Sequence, residues 1–208
     1  MQGKNKFIFL AFYFLFALSS NLVAHPKNVI IIRHADKVPN GFCLSLQGLE
    51  RAAALSYYFS GTPFYNTPPI AHIFAAYRGP PKPYIRCKQT CQPIANHLKL
   101  SLNTAFNELQ FKEVAREILT NPQYDNKTIL ICWRHNHIPQ LVMALGGEDP
   151  GFWADDIYDQ VYMLTFEGKR PPKFQKILQK LMFGDRATFQ EKPEPLSQIA
   201  VLCPDISL

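Results

Sequence analysis

Asn28-Val29-Ile30-Ile31-Ile32-Arg33-His34-Ala35-Asp36-Lys37, residues 28–37, joins an unbroken β-branched run to an Arg-His pair. An apolar run without polar alternation marks a strand covered on both faces, as in parallel sheets of α/β proteins. Working outward, Ser45 is placed to cap a helix from about Leu46 to Phe59, stopped by Gly61 and Pro63. Ile70–Ala76 is a second apolar run, followed by the Pro-rich loop Tyr77–Tyr84 and a helix over about Cys87–Leu98. Helical spacing of Val114, Ile118 and Leu119 predicts a helix over Phe111–Thr120. Thr128–Trp133 is the third buried strand, and Ile138–Leu145 is a helix closed by Gly146-Gly147. Gln160–Phe166 predicts a fourth strand and Phe174–Met182 a last amphipathic helix, with an irregular Pro-rich tail after Gly184. Such alternation predicts an α/β fold, a three-layer α/β/α sandwich on a mostly parallel central sheet.

Ligands of open α/β sheets bind outside the carboxyl ends of the strands. Arg33 and His34 follow the first strand, Tyr77 and Arg78 the second, with Arg86 opening the next helix, and Arg134 and His135 the third. Cations and imidazoles at three strand ends call for an anion. Arginine offers a planar fork that matches phosphate oxygens and stays charged. A helix start near Arg86 adds backbone N–H groups. A neutral histidine is a nucleophile toward phosphorus once its other ring nitrogen is held as N–H.

These residues also carry a resemblance. IIRHADK resembles the RHG signature of the histidine phosphatase (phosphoglycerate mutase-like) superfamily. SLQGLERAAAL resembles the helix that follows it, IRCKQTCQPIA the family's second arginine motif, and ILICWRHNHIPQLVMALG the strand-His-helix element with the second histidine. They fall in the family's order and span roughly residues 28–165. The chain also resembles the variant with RHAEK in the first motif and CWxHxxIP in the fourth, which is usually carried by exported bacterial proteins. The resemblance implies that His34 becomes phosphohistidine, that Arg33, Arg86 and His135 hold the non-bridging oxygens, and that no metal or cofactor is required. Two departures stand out. The signature Gly is Ala35, and YRGPPKPY lengthens the approach to Arg86. For the general acid, Glu108 is the candidate and Glu113 the second.

Each residue has a plainer alternative. His34 and His135 read as structural histidines if taken singly, Arg86 as a surface ion-pair residue, and Arg78 as a rival for its role. His135, His137 and Cys132 hint at a metal site, but a strand turning into a helix spoils the two-residue spacing. Arg134 is expected to point away from His135, and Asp155, Asp156 and Asp159 to form a solvated loop. Trp133 and Trp153 read as core or pocket walls. Phosphomonoester hydrolysis on a phosphorylated small molecule or peptide is the leading activity. The alternatives are a pseudophosphatase that binds an anionic ligand and a mutase-type phosphotransferase.

Length and composition set the frame. With 208 residues and 47% hydrophobic content the chain makes one domain with a true core. The net charge of +6 includes Lys4 and Lys6, and no run of Lys or Arg marks a nucleic-acid stripe. Lys4 and Lys6, the apolar Phe7–Leu18 run and Leu22-Val23-Ala24 read as an export signal over residues 1–24, ahead of a domain over 25–208. The run is short for a span of roughly 20 residues. An uncleaved anchor is the rival and the only route to a membrane. A periplasmic or secreted protein is the expectation. The five cysteines, Cys43, Cys87, Cys91, Cys132 and Cys203, are an odd number, and their spacing leaves the pairing open. N-terminal sequencing of protein recovered outside the cytosol is expected to begin at His25, whereas a soluble cytosolic form beginning at Met1 would count against export.

Overall fold

The computed structural model describes residues 25–192 except 62, 63, 65 and 169. The export segment and Cys203 lie outside the described residues. In chain order the elements are β1 (Asn28–Arg33), α1 (Leu46–Tyr58), β2 (Ile70–Ala75), α2 (Arg86–Leu98), β3 (Leu102–Asn103) and α3 (Phe111–Thr120). Then come β4 (Thr128–Trp133), α4 (Ile138–Ala144), β5 (Gln160–Thr165) and β6 (Lys173–Leu178). The sheet order is β3-β2-β4-β1-β5-β6. β3, β2, β4 and β1 run parallel, and β5 and β6 pair antiparallel at one edge. Every residue of β1 and β4 is buried, as their β-branched composition requires.

The chain's path places the helices. From β1 it steps through α1 to β2 and through α2 to β3, always toward one edge. From β3 it returns through α3 to β4 and through α4 to β5. Right-handed crossovers between the parallel strands therefore put α1 with α2 on one face and α3 on the other, and α4 packs beside α3. The two pairs do pack together in this way. The direction of winding reverses between β1 and β4, which are neighbours in register, with Arg33 opposite Trp133. A crevice opens at the carboxyl ends of two such strands. His34 and His135 are the residues that follow.

The turn after β1 is locked to α1. Ser45 caps the helix by accepting from the Gly48 N–H at 3.1 Å, and its own N–H donates to the Asp36 carbonyl at 2.9 Å. Arg51, buried, donates from Nε to Asp36 Oδ2 at 2.6 Å and from Nη2 to Asp185 Oδ1 at 2.7 Å. One guanidinium so joins the strand end, the helix and the turn after β6.

One expectation is corrected. Phe174–Met182 is not a helix, because residues 173–178 form β6 on the edge of β5. Phe174, Ile177, Leu178 and Leu181 have helical spacing, so the sequence pattern favoured a helix. The unpaired edge of β5 decides otherwise, since it offers a full ladder to a short segment. Phe174 meets Tyr162 edge-on at 5.0 Å, and Lys176 lies over the same ring and donates to the Pro150 carbonyl. The short β3, which extends the sheet beyond β2, was also absent from the sequence pattern. Among the described residues no helix is long and apolar enough to cross a membrane.

Gly48 allows the close approach of α1. A Cβ there would lie 2.1 Å from the Asp36 carbonyl oxygen. Gly48→Ala is expected to destabilise by at least about 1–3 kcal/mol, or roughly 2–12 °C in Tm. Thermal unfolding checks this, and a Tm within a degree of the parent would contradict the packing described.

Candidate active site

A cavity of about 300 Å³ opens at the ends of β1 and β4, within the range of small-ligand sites. His34, Arg86 and His135 line it. His34 is buried, and its Nδ1 lies 2.7 Å from the Ala35 carbonyl oxygen. A carbonyl only accepts, so Nδ1 carries the proton and Nε2 keeps its lone pair for the cavity. Burial, then the charges of Arg33 and Arg86, push the His34 pKa well below its ordinary value. Tyr84 and Tyr158 stand beside the ring at centroid distances of 6.3 and 6.1 Å.

Arg33, at the end of β1, is buried and is not among the cavity-lining residues. Its Nη1 donates to the carbonyls of Ala154, Asp155 and Ile157 at 3.2, 2.9 and 2.8 Å, and its guanidinium stacks 4.0 Å from the Tyr158 ring centroid. Its Nε and Nη2 have no hydrogen-bond partner among the described residues, nor has the buried Nε of Arg86. Buried donors are nearly always satisfied, so unpaired guanidinium nitrogens at a cavity point to an anion. Arg86 opens α2 and is tied to the His34 turn. The Ala35 N–H donates to Thr90 Oγ1 at 2.9 Å, and the Thr90 hydroxyl donates to the Arg86 carbonyl at 2.8 Å.

His135 begins a single 3-10 turn after β4. Its Nε2 lies 3.4 Å from Asp155 Oδ1, and its buried Nδ1 has no partner among the described residues. Burial, then the charge of Arg33, lowers its pKa to about 4 despite Asp155. His137 instead stacks on Phe111 at 5.9 Å. Among the described residues no group of three or more His, Cys, Asp or Glu side chains is placed to hold a metal.

Glu108 lies elsewhere. It is buried, paired with Arg78 Nη2 at 2.7 Å, and its backbone carbonyl accepts from Trp133 Nε1 at 3.0 Å. It is not among the cavity-lining residues, and Glu113 is exposed on α3. Arg78 also donates to the Lys82 carbonyl, so Arg86 and not Arg78 faces the cavity. Two further expectations are corrected. Arg134 lines the cavity beside His135 and does not point away from it. The acidic trio is no solvated loop: Asp159 is buried against Arg186, Asp155 lines the cavity, and Asp156 alone is merely exposed. Sequence reasoning passed over Lys37, Tyr84 and Asp155 as site residues. Lys37 sits inside the first motif and was legible there, whereas nothing local to Asp155 announces it.

No family model and no curated protein matches this sequence. Solved structures do. Phosphoglycerate mutase from Plasmodium falciparum is 14% identical with a TM-score of 0.51, covering 81% of this chain and 98% of its own. Two proteins assigned as phosphohistidine phosphatase SixA also match. The one from Agrobacterium tumefaciens is 16% identical with a TM-score of 0.45, over 74% of this chain and 97% of its own. The other, from Nakamurella multipartitia, is 14% identical with a TM-score of 0.42, over 74% and 95%. The likeness to the mutase carries the argument, and it establishes the fold: this chain has the phosphoglycerate mutase-like α/β fold.

The electrostatics give a direct test. Imidazole ¹H–¹⁵N correlation spectra at pH 7 should place the His34 proton on Nδ1. His135 should titrate near pH 4 and neither ring near the ordinary value of about 6.5. The unfolded chain binds these protons more readily. Stability from the two rings is thus complete above about pH 6.5 and declines as pH falls toward the folded values. Titration of His135 at its ordinary value would contradict the arrangement.

Proposed function

We propose that this protein is a phosphatase that hydrolyses phosphate monoesters through a phosphohistidine on His34. The observation that carries this reading is a neutral imidazole, fixed by the Ala35 carbonyl and lining one cavity with Arg86, whose Nε, like the Nε and Nη2 of the neighbouring buried Arg33, has no hydrogen-bond partner among the described residues. An in-line attack by Nε2 forms the N–P bond as the ester P–O bond breaks. The arginines meet the charge that spreads over the equatorial oxygens. His135, neutral beforehand, gains a proton as a phosphate dianion enters and becomes a third donor. Water then returns the phosphoryl group to solution. Two steps through a covalent intermediate replace one harder step.

The substrate is a phosphorylated small molecule or peptide, which suits a cavity of about 300 Å³ in a chain with no run of Lys or Arg. The protein works in the periplasm or outside the cell. The basic, then apolar N-terminal segment supports this, as does Cys43, which is disulfide-bonded. Cys87, Cys91 and Cys132 are free and buried.

Rapid quenching during turnover of an aryl phosphate is expected to trap acid-labile, base-stable phosphate on His34. His34→Ala should abolish both the label and the activity while keeping the fold. Arg86→Ala should slow turnover by about 10²–10³. A folded His34→Ala protein with near-parental activity would overturn the assignment. A parent protein that binds phosphate but turns nothing over would show a binding module instead.

A further inference from the structure

Resting on the phosphohistidine reading, we propose that Asp155 is the base that activates water against the phosphorylated His34. Asp155 is the only carboxylate among the described residues that line the cavity. Its position is not left to a flexible loop. The Nη1 of Arg33 holds the carbonyls of residues 154, 155 and 157, and Trp153 Nε1 donates to the Ile157 carbonyl at 2.9 Å. The arginine next to His34 in the chain thus also fixes the segment that carries the carboxylate.

The carboxylate itself sits among the site's donors. Asp155 Oδ1 is 3.6 Å from Arg33 Nη2 and 3.4 Å from His135 Nε2, and Lys37 Nζ spans its two oxygens at 2.9 and 2.8 Å. Its side chain is 60% exposed, so water reaches it from the mouth. Glu108, by contrast, is buried, paired with Arg78 and not among the cavity-lining residues. Burial alone would raise the Asp155 pKa, but the hydrogen bond and charge of Lys37, with Arg33 and His135, bring it below the ordinary value. An ionised carboxylate at neutral pH suits proton acceptance and not donation to a leaving group.

The step balances without a further reactant. The water oxygen bonds to phosphorus as the P–Nε2 bond breaks, and that electron pair returns to Nε2. The water proton passes to an Asp155 oxygen. Hydrogen phosphate departs, His34 is again neutral with its proton on Nδ1, and Asp155 then releases its proton to solvent.

The test is rapid-quench kinetics with an aryl phosphate whose phenol leaves readily, so that the first step needs no acid. Asp155→Asn keeps the backbone carbonyls that Arg33 holds. It should give a burst of phenol near one per enzyme, accumulated phosphohistidine, and a steady-state rate lowered by about 10²–10⁴. Asp156→Asn makes the same charge change one residue away, on an exposed side chain, and should partition like the parent. An Asp155→Asn enzyme with parental turnover and no accumulated label would overturn the proposal. So would equal loss of burst and steady state, which would place Asp155 in the first step. An accumulation that Asp156→Asn reproduces would overturn it as well. A parent enzyme that never labels His34 would overturn the phosphohistidine reading and this one with it. That failure is distinguishable because it appears without any variant.

Discussion

The buried charge of Arg33 is the constraint on which the site depends. Its side chain is fully enclosed at the end of the most protected strand. An ion removed from water costs several kcal/mol unless it is closely paired. Here the partners are three carbonyls of the 154–157 segment, the face of Tyr158, and Asp155 at longer range. Those carbonyls all bind Nη1, whereas Nε and Nη2 have no hydrogen-bond partner among the described residues. The arrangement thus shapes the segment before β5 and keeps a positive charge near both imidazoles. The same charge, after burial, depresses both imidazoles and so keeps them neutral at pH 7.

The winding of the sheet supplies the second half of the site. β1 and β4 are neighbours whose crossovers leave in opposite directions, so no helix covers the crevice at their ends. His34 and His135 come from chain segments a hundred residues apart, yet the strand register sets their separation. The turns are then held from outside. Thr90 ties the His34 turn to α2, and Ser45, Gly48 and Arg51 tie it to α1. Few of these residues face the cavity, and each removes freedom from one that does.

Sequence and structure divide the account unevenly. NVIII and TILICW announce buried strands by themselves, because β-branched runs without polar alternation fit only a strand covered on both faces. The Arg-His pairs at their ends were legible for the same reason. Strand direction is a local property, and the carboxyl end is where α/β sheets place ligands. Helices α1 to α4 followed from capping and 3.6-residue periodicity. What local pattern could not show is any partner chosen across the fold. Lys173–Leu178 has helical spacing but extends the sheet, since an open edge of β5 outweighs a weak helical preference. Glu108 follows β3 in a position that suggests an acid, but it is buried, paired with Arg78 and not among the cavity-lining residues. Asp155 looks like one acid of a polar loop, and becomes a site residue only because Arg33, more than a hundred residues earlier, binds that loop by its carbonyls. The sequence by itself therefore determined β1, β2, β4, β5, the four helices and the Arg-His pairs at the strand ends, which depend on neighbours along the chain. Tertiary structure alone decided which carboxylate meets them, because a buried cation chooses its partners by where the sheet brings the backbone, not by what lies beside it in sequence.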